Sequence, residues 1–307
     1  MTRVEEFEEL RPLLFSIAYR ILGSVAEAED AVQDSWLRYD AAGTTPTSVK
    51  AYLSAVVTRV SIDTLRSARH RREEYVGEWL PEPLLVDPYD DPERSAELAD
   101  SVSMAALLVM ERLTPLERAV FVLRDVFALD FADVALAVGR SEAACRQLAV
   151  RARRHMEEGR PRFEADLRER EELADRFLDA LRDGDVDALK ELLAADVQMV
   201  GDGGGKAPAF ARAVAGVDNV ARVLAVNVPL LATVGASVEA QRVNGQPGAL
   251  LRDRDSRVIG AIALDVLDGR IQTIRSVVNP DKLGHLGPLA DAWAVDRAVR
   301  LARHQAD

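Results

Sequence analysis

Cysteine is almost absent from this sequence of 307 residues, in which Cys145 is the only one. A single cysteine excludes an intramolecular disulfide, and no zinc-ligand spacing is present. No apolar run reaches the length of a membrane-spanning helix. Acidic residues follow directly after residues 1–4, which is not the basic-then-apolar order of a signal peptide. These absences predict a cytoplasmic protein with no metal, no cofactor and no membrane partner.

The charge of the chain is divided into blocks of opposite sign, although its net charge is −12. Residues 1–40 carry four Arg and nine acids, net −5, and residues 50–72 carry one Lys, five Arg and one Asp, net +5. Residues 73–100 carry one Arg and ten acids, net −9. Such alternation indicates several partners of different charge. The length and the hydrophobic share of 48% suit two or three globular domains.

Residues 113–156 have the pattern of a helix-turn-helix. Thr, Pro and Glu at positions 114, 115 and 117 predict a capped helix start, and a second short helix spans residues 131–138. Gly139 ends that helix, and Ser141 caps a third one. A helix, a short glycine turn and another helix form the layout that places a recognition helix on DNA.

The third helix of this stretch is basic. Residues 140–163 contain seven Arg and three Glu, a local charge of +4 within an acidic chain. A basic recognition helix on an acidic protein is the expected footprint of DNA binding. The alternative is a helical bundle whose arginines form a solvated face. The residues predicted to engage DNA are Arg146, Gln147, Arg151, Arg153 and Arg154.

The first 72 residues predict three helices. The second carries an acidic stripe of Glu27, Asp30 and Asp34, spaced three and four apart, which in isolation is typical of a solvated face. The third, about residues 49–72, begins apolar and ends basic. Arginines on such a helix end can grip phosphates.

These stretches resemble a known family. Ala28 to Trp36 looks like the region that sigma factors use to grip the clamp helices of the largest RNA polymerase subunit. Arg59 to Arg66 resembles the helix that reads and melts the −10 element, with Val60 where the family often has Asn. Leu113 to Arg154 resembles the −35-reading domain. Two such domains with little between them describe the extracytoplasmic-function (ECF) sigma factors.

Three further motifs resemble an ECF subgroup with a fused C-terminal SnoaL-like domain of the NTF2-like fold. They are Trp-Leu-Pro-Glu-Pro-Leu at 79–84, Asp-Gly-Gly-Gly-Lys at 202–206 and Asn-Pro-Asp-Lys-Leu at 279–283. The two prolines of the first motif hold it extended.

The C-terminal part predicts helices before a curved antiparallel sheet, an α+β cone. Helices are expected near 173–193, over 216–231 and in a tail at 288–304. Asn244-Gly245 and Asp268-Gly269 predict hairpin turns. The predicted strands cover residues 197–200, 238–243, 248–252, 258–267 and 270–278.

The predicted fold class is therefore multidomain: two all-α sigma domains plus a C-terminal α+β NTF2-like cone. The domains are sigma region 2 at 1–72, an acidic Pro-containing linker at 73–100, sigma region 4 at 101–163, a SnoaL-like regulatory domain at 164–287 and a helical tail at 288–307.

The resemblance implies core RNA polymerase and promoter DNA as partners of a monomeric chain, and leaves open a small-molecule ligand in the C-terminal domain. The expected polymerase-binding residues are Glu27, Asp30, Gln33, Asp34 and Trp36. The expected −10-binding residues are Arg59, Arg66, Arg69, Arg71 and Arg72. The expected interdomain regulatory residues are Trp79, Leu80, Pro81, Asp202, Gly203, Gly204, Gly205, Lys206, Asn279, Pro280 and Asp281.

Two kinds of chemistry fit the sequence poorly. Residues 201–206 end in Gly-Lys but have three residues, not four, after the first glycine, and Ala207 follows, so they are not a phosphate-binding loop. The glycines instead predict close approach to a neighbouring domain, with Lys206 contacting an acid of the stripe or of the linker. Proton transfer would need a pocket acid or base, and no recognisable His–Asp pair occurs among the candidates Asp202, Asp253, Asp265 and His285.

The predicted function is that of a sigma factor regulated in cis by its C-terminal domain, without enzyme activity. One alternative is a ligand-responsive helix-turn-helix regulator that binds DNA without polymerase. Another is a small-molecule isomerase or cyclase whose N-terminal half is a DNA tether.

Overall fold

The computed structural model describes residues 2–43, 46–89, 95–159, 167–210 and 212–306, without the side chains at 69–73, 95–97, 159 and 305–306. The chain forms two compact units. Unit 1 combines Met1–Glu74 with Asp87–Arg160, and unit 2 combines Tyr75–Val86 with Pro161–Asp307. Within the described ranges, none of the helices has the length and apolarity to cross a membrane.

Unit 1 begins with three helices, α1 (Arg3–Leu22), α2 (Val25–Asp40) and α3 (Val49–Glu73). Gly23 ends α1 in the left-handed conformation at φ 71°. The Ser24 hydroxyl accepts the Glu27 N–H at 3.1 Å and so caps α2, as its sequence predicts. The apolar faces of the three helices meet in one core, in which Leu14, Ile17, Val32, Leu53 and Val57 are buried.

The rest of unit 1 consists of shorter helices that contain the predicted helix-turn-helix. They are α4 (Ser95–Val102), α5 (Met104–Met110), α6 (Pro115–Phe121) with a π-helical turn Val122–Val126, α7 (Phe131–Val138) and α8 (Glu142–Gly159). Thr114 and Glu117 form the predicted capping box of α6. Gly139 ends α7 at φ 64°, and the Ser141 hydroxyl accepts the Ala144 N–H of α8 at 3.3 Å.

Two buried arginines join the two halves of unit 1. The Arg20 side chain on α1 donates to the Ser101 hydroxyl at 2.8 Å and to the Leu98 carbonyl at 2.9 Å, and pairs with Asp87 at 2.8 Å. The Arg118 Nε on α6 donates to the Arg20 carbonyl at 2.9 Å. Both side chains are fully buried. Because buried guanidinium groups need such partners, these bonds fix the helix-turn-helix against the N-terminal helices.

Unit 2 has the predicted helices followed by a sheet. Its elements are α9 (Leu167–Asp183), α10 (Val186–Leu192), β1 (Leu193–Asp202), β2 (Val214–Ala215), α11 (Val217–Thr233), β3 (Ser237–Val243), β4 (Gln246–Arg252), β5 (Val258–Leu267), β6 (Arg270–Val277), 3-10 turns Pro280–Lys282 and Gly284–Leu286, and α12 (Ala292–Ala306). The helices cover one face of the sheet with a core that includes Phe177, Leu181, Leu264 and Ile271.

The sheet is mixed, so the expectation of a purely antiparallel sheet is wrong. Its strand order is β2-β1-β6-β5-β4-β3, and β1 pairs with β6 in parallel while every other pairing is antiparallel. Short hairpins force sequential strands to be antiparallel, but β1 and β6 are joined through α11 and four strands. The predicted turns are present, with φ of 54° and 68° at Asn244-Gly245 and 51° and 66° at Asp268-Gly269.

Candidate functional site

The acidic stripe lies on the surface of α2. Asp30, Gln33 and Asp34 are exposed, whereas Glu27 and Trp36 are half-buried. The Trp36 ring packs on Phe7 of α1 with the ring centroids 5.1 Å apart. The tryptophan therefore has a structural role between the helices, and the polar side chains around it project outward where a partner can reach them.

The predicted −10 surface on α3 is already engaged within unit 1. Arg59 donates from Nε to the Ala137 carbonyl at 3.0 Å and from Nη2 to the Leu136 carbonyl at 2.5 Å. These carbonyls end α7, where the helix dipole favours a cation. Arg66 is exposed and pairs with Asp63 at 2.9 Å. Val60 is buried, as expected for the apolar face of α3.

The other three predicted −10 residues lie near the end of α3. Arg69, Arg71 and Arg72 belong to the helical backbone of α3, but their side chains lie outside the described residues.

The predicted −35 residues all lie exposed on α8. Their arginines are held by acids: Arg146 by Glu142 at 2.7 Å, Arg151 by Glu117 at 3.0 Å, Arg153 by Asp125 at 2.6 Å and Arg154 by Glu158 at 4.0 Å. Glu142 and Glu158 are exposed, and exposed ion pairs contribute little stability, so a phosphate can replace these two acids at small cost. Glu117 is buried and Asp125 is half-buried. Gln147 makes no side-chain hydrogen bond to any described residue.

Unit 2 contains a buried charged network in which the motifs at 79–84, 202–206 and 279–283 meet. Asp202, at the end of β1, is fully buried. Its carboxylate accepts the Tyr75 hydroxyl at 2.5 Å, the Leu80 N–H at 2.8 Å and the Lys282 ammonium at 2.6 Å. The Asn279 amide donates to the Tyr75 hydroxyl at 2.7 Å. Residues 75–80 are thereby bound to the ends of β1 and β6.

Lys282 is the centre of this network. Its ammonium also donates to the Leu80 carbonyl at 2.5 Å, and lies 4.5 Å from the Trp79 ring centroid and 4.7 Å from that of Tyr75. A desolvated ammonium gains from such ring faces as well as from the carboxylate.

The C-terminal end of the linker motif, at Pro83 and Leu84, is also bonded to unit 2. The Leu84 N–H donates to the Asn244 side chain at 3.1 Å, and the Asn244 N–H donates to the Leu84 carbonyl at 2.7 Å. The His285 Nε2 lies 2.6 Å from the Pro83 carbonyl. Residues 81–84 are all buried. The segment 75–86, which we name the connector, is therefore an integral part of unit 2.

Gly203, Gly204 and Gly205, which we name the glycine loop, permit the connector to lie close to the end of β1. Gly204 has φ 56°, and a Cβ atom built there would lie 2.3 Å from the Asn279 Nδ2 and 2.8 Å from the Tyr75 hydroxyl. A side chain at this position would displace both groups. The glycines thus permit close approach to the connector within unit 2, whereas the sequence predicted approach to a neighbouring domain.

The expected partner of Lys206 is wrong. Its ammonium pairs with Asp281 at 2.5 Å, and both side chains are more than half exposed. The 3-10 turn after β6, which Pro280 opens, brings Asp281 beside the glycine loop. The lysine that binds the connector is Lys282.

Sequence reasoning missed Tyr75, Asn244, Lys282 and His285 as part of this arrangement. Lys282 stands inside the motif at 279–283, so the motif itself was a signal for it. Asn244 was interpreted only as a turn residue, and nothing in its surroundings in the sequence indicates a partner 160 residues away.

The groups considered for proton transfer have structural bonds instead. Asp253 accepts the Asp255 and Arg257 N–H groups at 2.9 Å and 2.8 Å in a surface turn. Asp265 is buried and pairs with Arg275; burial raises the pKa of Asp265, and the arginine opposes that rise.

Alkaline pH is expected to loosen the connector through Tyr75. Burial and the hydrogen bond to Asp202 raise the pKa of Tyr75 above the ordinary tyrosine value. Since the folded-state pKa is the higher one, this stabilisation is complete below about pH 10 and is lost as pH rises towards the folded-state pKa. Proteolysis of the connector should therefore increase above about pH 10 in the native chain and much less in Tyr75→Phe. An identical pH dependence in both would contradict this role.

Comparison with known proteins identifies the two helical domains of unit 1. Residues 7–71 match Sigma-70 region 2, and residues 103–156 match Sigma-70, region 4. Both helical domains of unit 1 are therefore sigma-factor domains.

The full-length relatives extend this result to the whole chain. ECF RNA polymerase sigma factor SigJ of Mycobacterium tuberculosis is 40% identical over 294 residues, covering 91% of this chain and 92% of that protein. The probable ECF RNA polymerase sigma factor SigI of the same species is 32% identical over 279 residues, covering 90% and 93%. The crystal structure of SigJ has a TM-score of 0.72 at 37% identity, covering 94% of this chain and 100% of that one.

This chain belongs to the family of ECF RNA polymerase sigma factors. The predicted multidomain fold class is confirmed: helical sigma domains are followed by an α+β domain with a mixed six-stranded sheet.

Proposed function

We propose that this sigma factor binds core RNA polymerase through the exposed face of α2 and directs it to promoters through α3 and α8. In this proposal unit 2 controls those steps in cis, by binding rather than by catalysis. The observation that carries the regulatory part is the docking of the connector on Asp202 and Lys282, because the connector joins the two sigma domains.

For the recognition helix we assign different tasks to different residues. The exposed amide of Gln147 suits a base edge in the major groove, where glutamine can pair with adenine. Arg146, Arg151, Arg153 and Arg154 suit phosphates, which position the helix without reading sequence. The −10 strand would be gripped by Arg59, Arg66, Arg69, Arg71 and Arg72.

The arrangement of unit 1 supports a closed, inactive state. Arg59 of the proposed −10 surface is hydrogen-bonded to the helix that precedes the recognition helix. By their names the two promoter elements are about 25 base pairs apart, about 85 Å along B-DNA at about 3.4 Å per pair. Surfaces that touch through one arginine cannot span that distance, so the two sigma domains must separate before both elements are bound.

The connector supplies a physical limit on that separation. We retain the division into domains at 1–72, 73–100, 101–163, 164–287 and 288–307, in which the linker has 28 residues. Such a chain spans at most about 100 Å when extended. Docking of the 12 residues 75–86 on unit 2 fixes the path of that part and leaves 16 of the 28 residues, about 55 Å of extended chain, free to adjust. Release of the connector would therefore favour the open state, and a tethered regulator can act with modest affinity because its effective concentration is high.

Loss of the exposed polar side chains of the acidic stripe is expected to weaken retention on core RNA polymerase. A chain with Asp30, Gln33 and Asp34 all changed to Ala should co-purify about tenfold less well, because three exposed polar contacts are removed. The matched control combines Glu169→Ala and Asp175→Ala. It also removes two negative charges, but from an exposed face of α9. Equal retention of the triple variant and the control would contradict the assigned surface. Stronger retention of residues 1–163 than of the full chain would support autoinhibition.

A further inference from the structure

Among the described residues of unit 2 lies a cleft that no residue of the connector lines. It has a volume of about 570 Å³ and lies between the tail helix α12, helix α11 and the loop that follows the glycine motif. This volume falls in the range of about 300–1,000 Å³ that is common for small-molecule sites.

One wall of the cleft is apolar and the other is basic. The apolar lining comprises Pro208 and Phe210 of the loop together with Val299 of α12, and Phe210 is 43% exposed. The basic wall comprises Arg300, Arg303 and His304 of α12. Arg300 is neutralised by Asp296, which lies 2.8 Å away. The positive charge of Arg303 remains to face the cleft.

Arg303 has a donor without an acceptor. Its Nη2 donates to the Asn227 side chain at 2.6 Å and so fixes the guanidinium in the wall. Its Nε is buried and has no hydrogen-bond partner among the described residues. Because the Nε is buried, an anion in the cleft would pair with the Nη groups, which keep donors besides the one that is bonded to Asn227.

We propose that this cleft binds a small organic carboxylate with a flat apolar body. The carboxylate pairs with Arg303, and the apolar body lies against Phe210 and Val299. An inorganic anion such as phosphate would leave the apolar wall without a contact. A neutral hydrocarbon would leave the guanidinium desolvated and without a counter-charge.

The cleft is linked to the connector through the glycine loop. Trp293 of α12 donates from Nε1 to the Lys206 carbonyl at 2.8 Å, so the helix that forms the basic wall also holds this loop. A ligand that bridges α12 and residues 208–210 would stabilise the loop on which Tyr75 and Asn279 meet. This consequence rests on the proposed regulation, whereas binding itself does not.

The test is calorimetric titration of the full chain with 2-naphthoate, a flat aromatic carboxylate, and with 2-naphthylmethanol, its uncharged counterpart. We expect one saturable site for the carboxylate, with a Kd on the order of 1 mM or lower, and binding of the alcohol weakened about tenfold or more. Saturable binding that is absent, or equal for the two probes, would overturn the proposal.

Variants locate the site. Arg303→Met should weaken 2-naphthoate binding about tenfold or more, whereas Arg297→Met, an exposed arginine on the same helix, should leave it unchanged. Because Arg303 also bonds Asn227, Phe210→Ala provides a second loss that spares that contact. Unchanged affinity in both Arg303→Met and Phe210→Ala would overturn the assignment. The titration uses no polymerase, so its failure is distinct from failure of the regulatory proposal.

Discussion

Replacement of Asp202 by alanine is expected to lower the free energy of unfolding of unit 2 by about 3–5 kcal/mol. The carboxylate is fully buried, and its removal leaves the Lys282 ammonium, 7% exposed, without its counter-charge. The Leu80 N–H and the Tyr75 hydroxyl lose their acceptor as well. Native-state hydrogen exchange measures both effects, in the amides of β5 and β6 for the unit and in the Leu80 amide for the connector.

Two companion variants distinguish this mechanism from a general loss of stability. Asp281→Ala removes the exposed partner of Lys206 and should cost no more than about 1 kcal/mol. Asp202→Leu combined with Lys282→Met should recover part of the loss, because an apolar pair leaves no charge buried alone. If Asp202→Ala cost no more than Asp281→Ala, the network would not hold the connector.

The Asp202→Ala variant also tests the proposed regulation. If docking of the connector restrains the two sigma domains, Asp202→Ala should raise promoter-directed transcription even though it lowers stability. Reduced transcription in a chain that remains folded would instead favour an activating role for the docked connector.

Holding the sigma domains together is expected to reduce promoter-directed transcription by at least about tenfold. The change is a pair of cysteines, Arg59→Cys and Leu136→Cys, joined by a short bismaleimide that a reductant cleaves. Cys145 is buried, and burial raises the pKa of its thiol, so it should react slowly. The closed chain cannot place α3 and α8 on elements about 85 Å apart, and cleavage of the cross-link should restore activity.

The chemical control is the same double-cysteine chain treated with N-ethylmaleimide, which modifies both thiols without joining them. It accounts for the lost Arg59 contact to DNA and for the added maleimide. Equal transcription by the cross-linked and the N-ethylmaleimide-treated chains would exclude the closed arrangement as an inactive state. Polymerase retention measured in parallel shows whether closure acts before or after binding to the core enzyme.

Local features of unit 1 could be predicted from the sequence because their determinants lie within a few residues of one another. The Thr114–Glu117 capping box, the Gly139 stop and the Ser141 cap each involve contacts across at most four positions. The hairpin turns at Asn244 and Asp268 are equally local. Helix and turn chemistry of this kind is determined by neighbouring residues and needs no tertiary partner.

Short motifs also identified which residues matter without identifying what they contact. The glycine motif, the linker motif and the motif at 279–283 were all expected to be regulatory, and all three meet around Asp202. The sequence nevertheless suggested the wrong partner for Lys206, and gave no role to Tyr75 or Asn244. The sequence also did not predict that β1 pairs with β6 in parallel.

Each of these features depends on contacts between residues far apart in the chain. Asp202 meets Tyr75 across 127 positions, Leu80 across 122 and Lys282 across 80. A carboxylate can be buried only where distant donors converge on it, and that convergence follows from the packing of the strands and the 3-10 turn. The sequence alone therefore determined the sigma domains and their charged surfaces, whereas the tertiary structure decided which lysine, tyrosine and asparagine hold the connector.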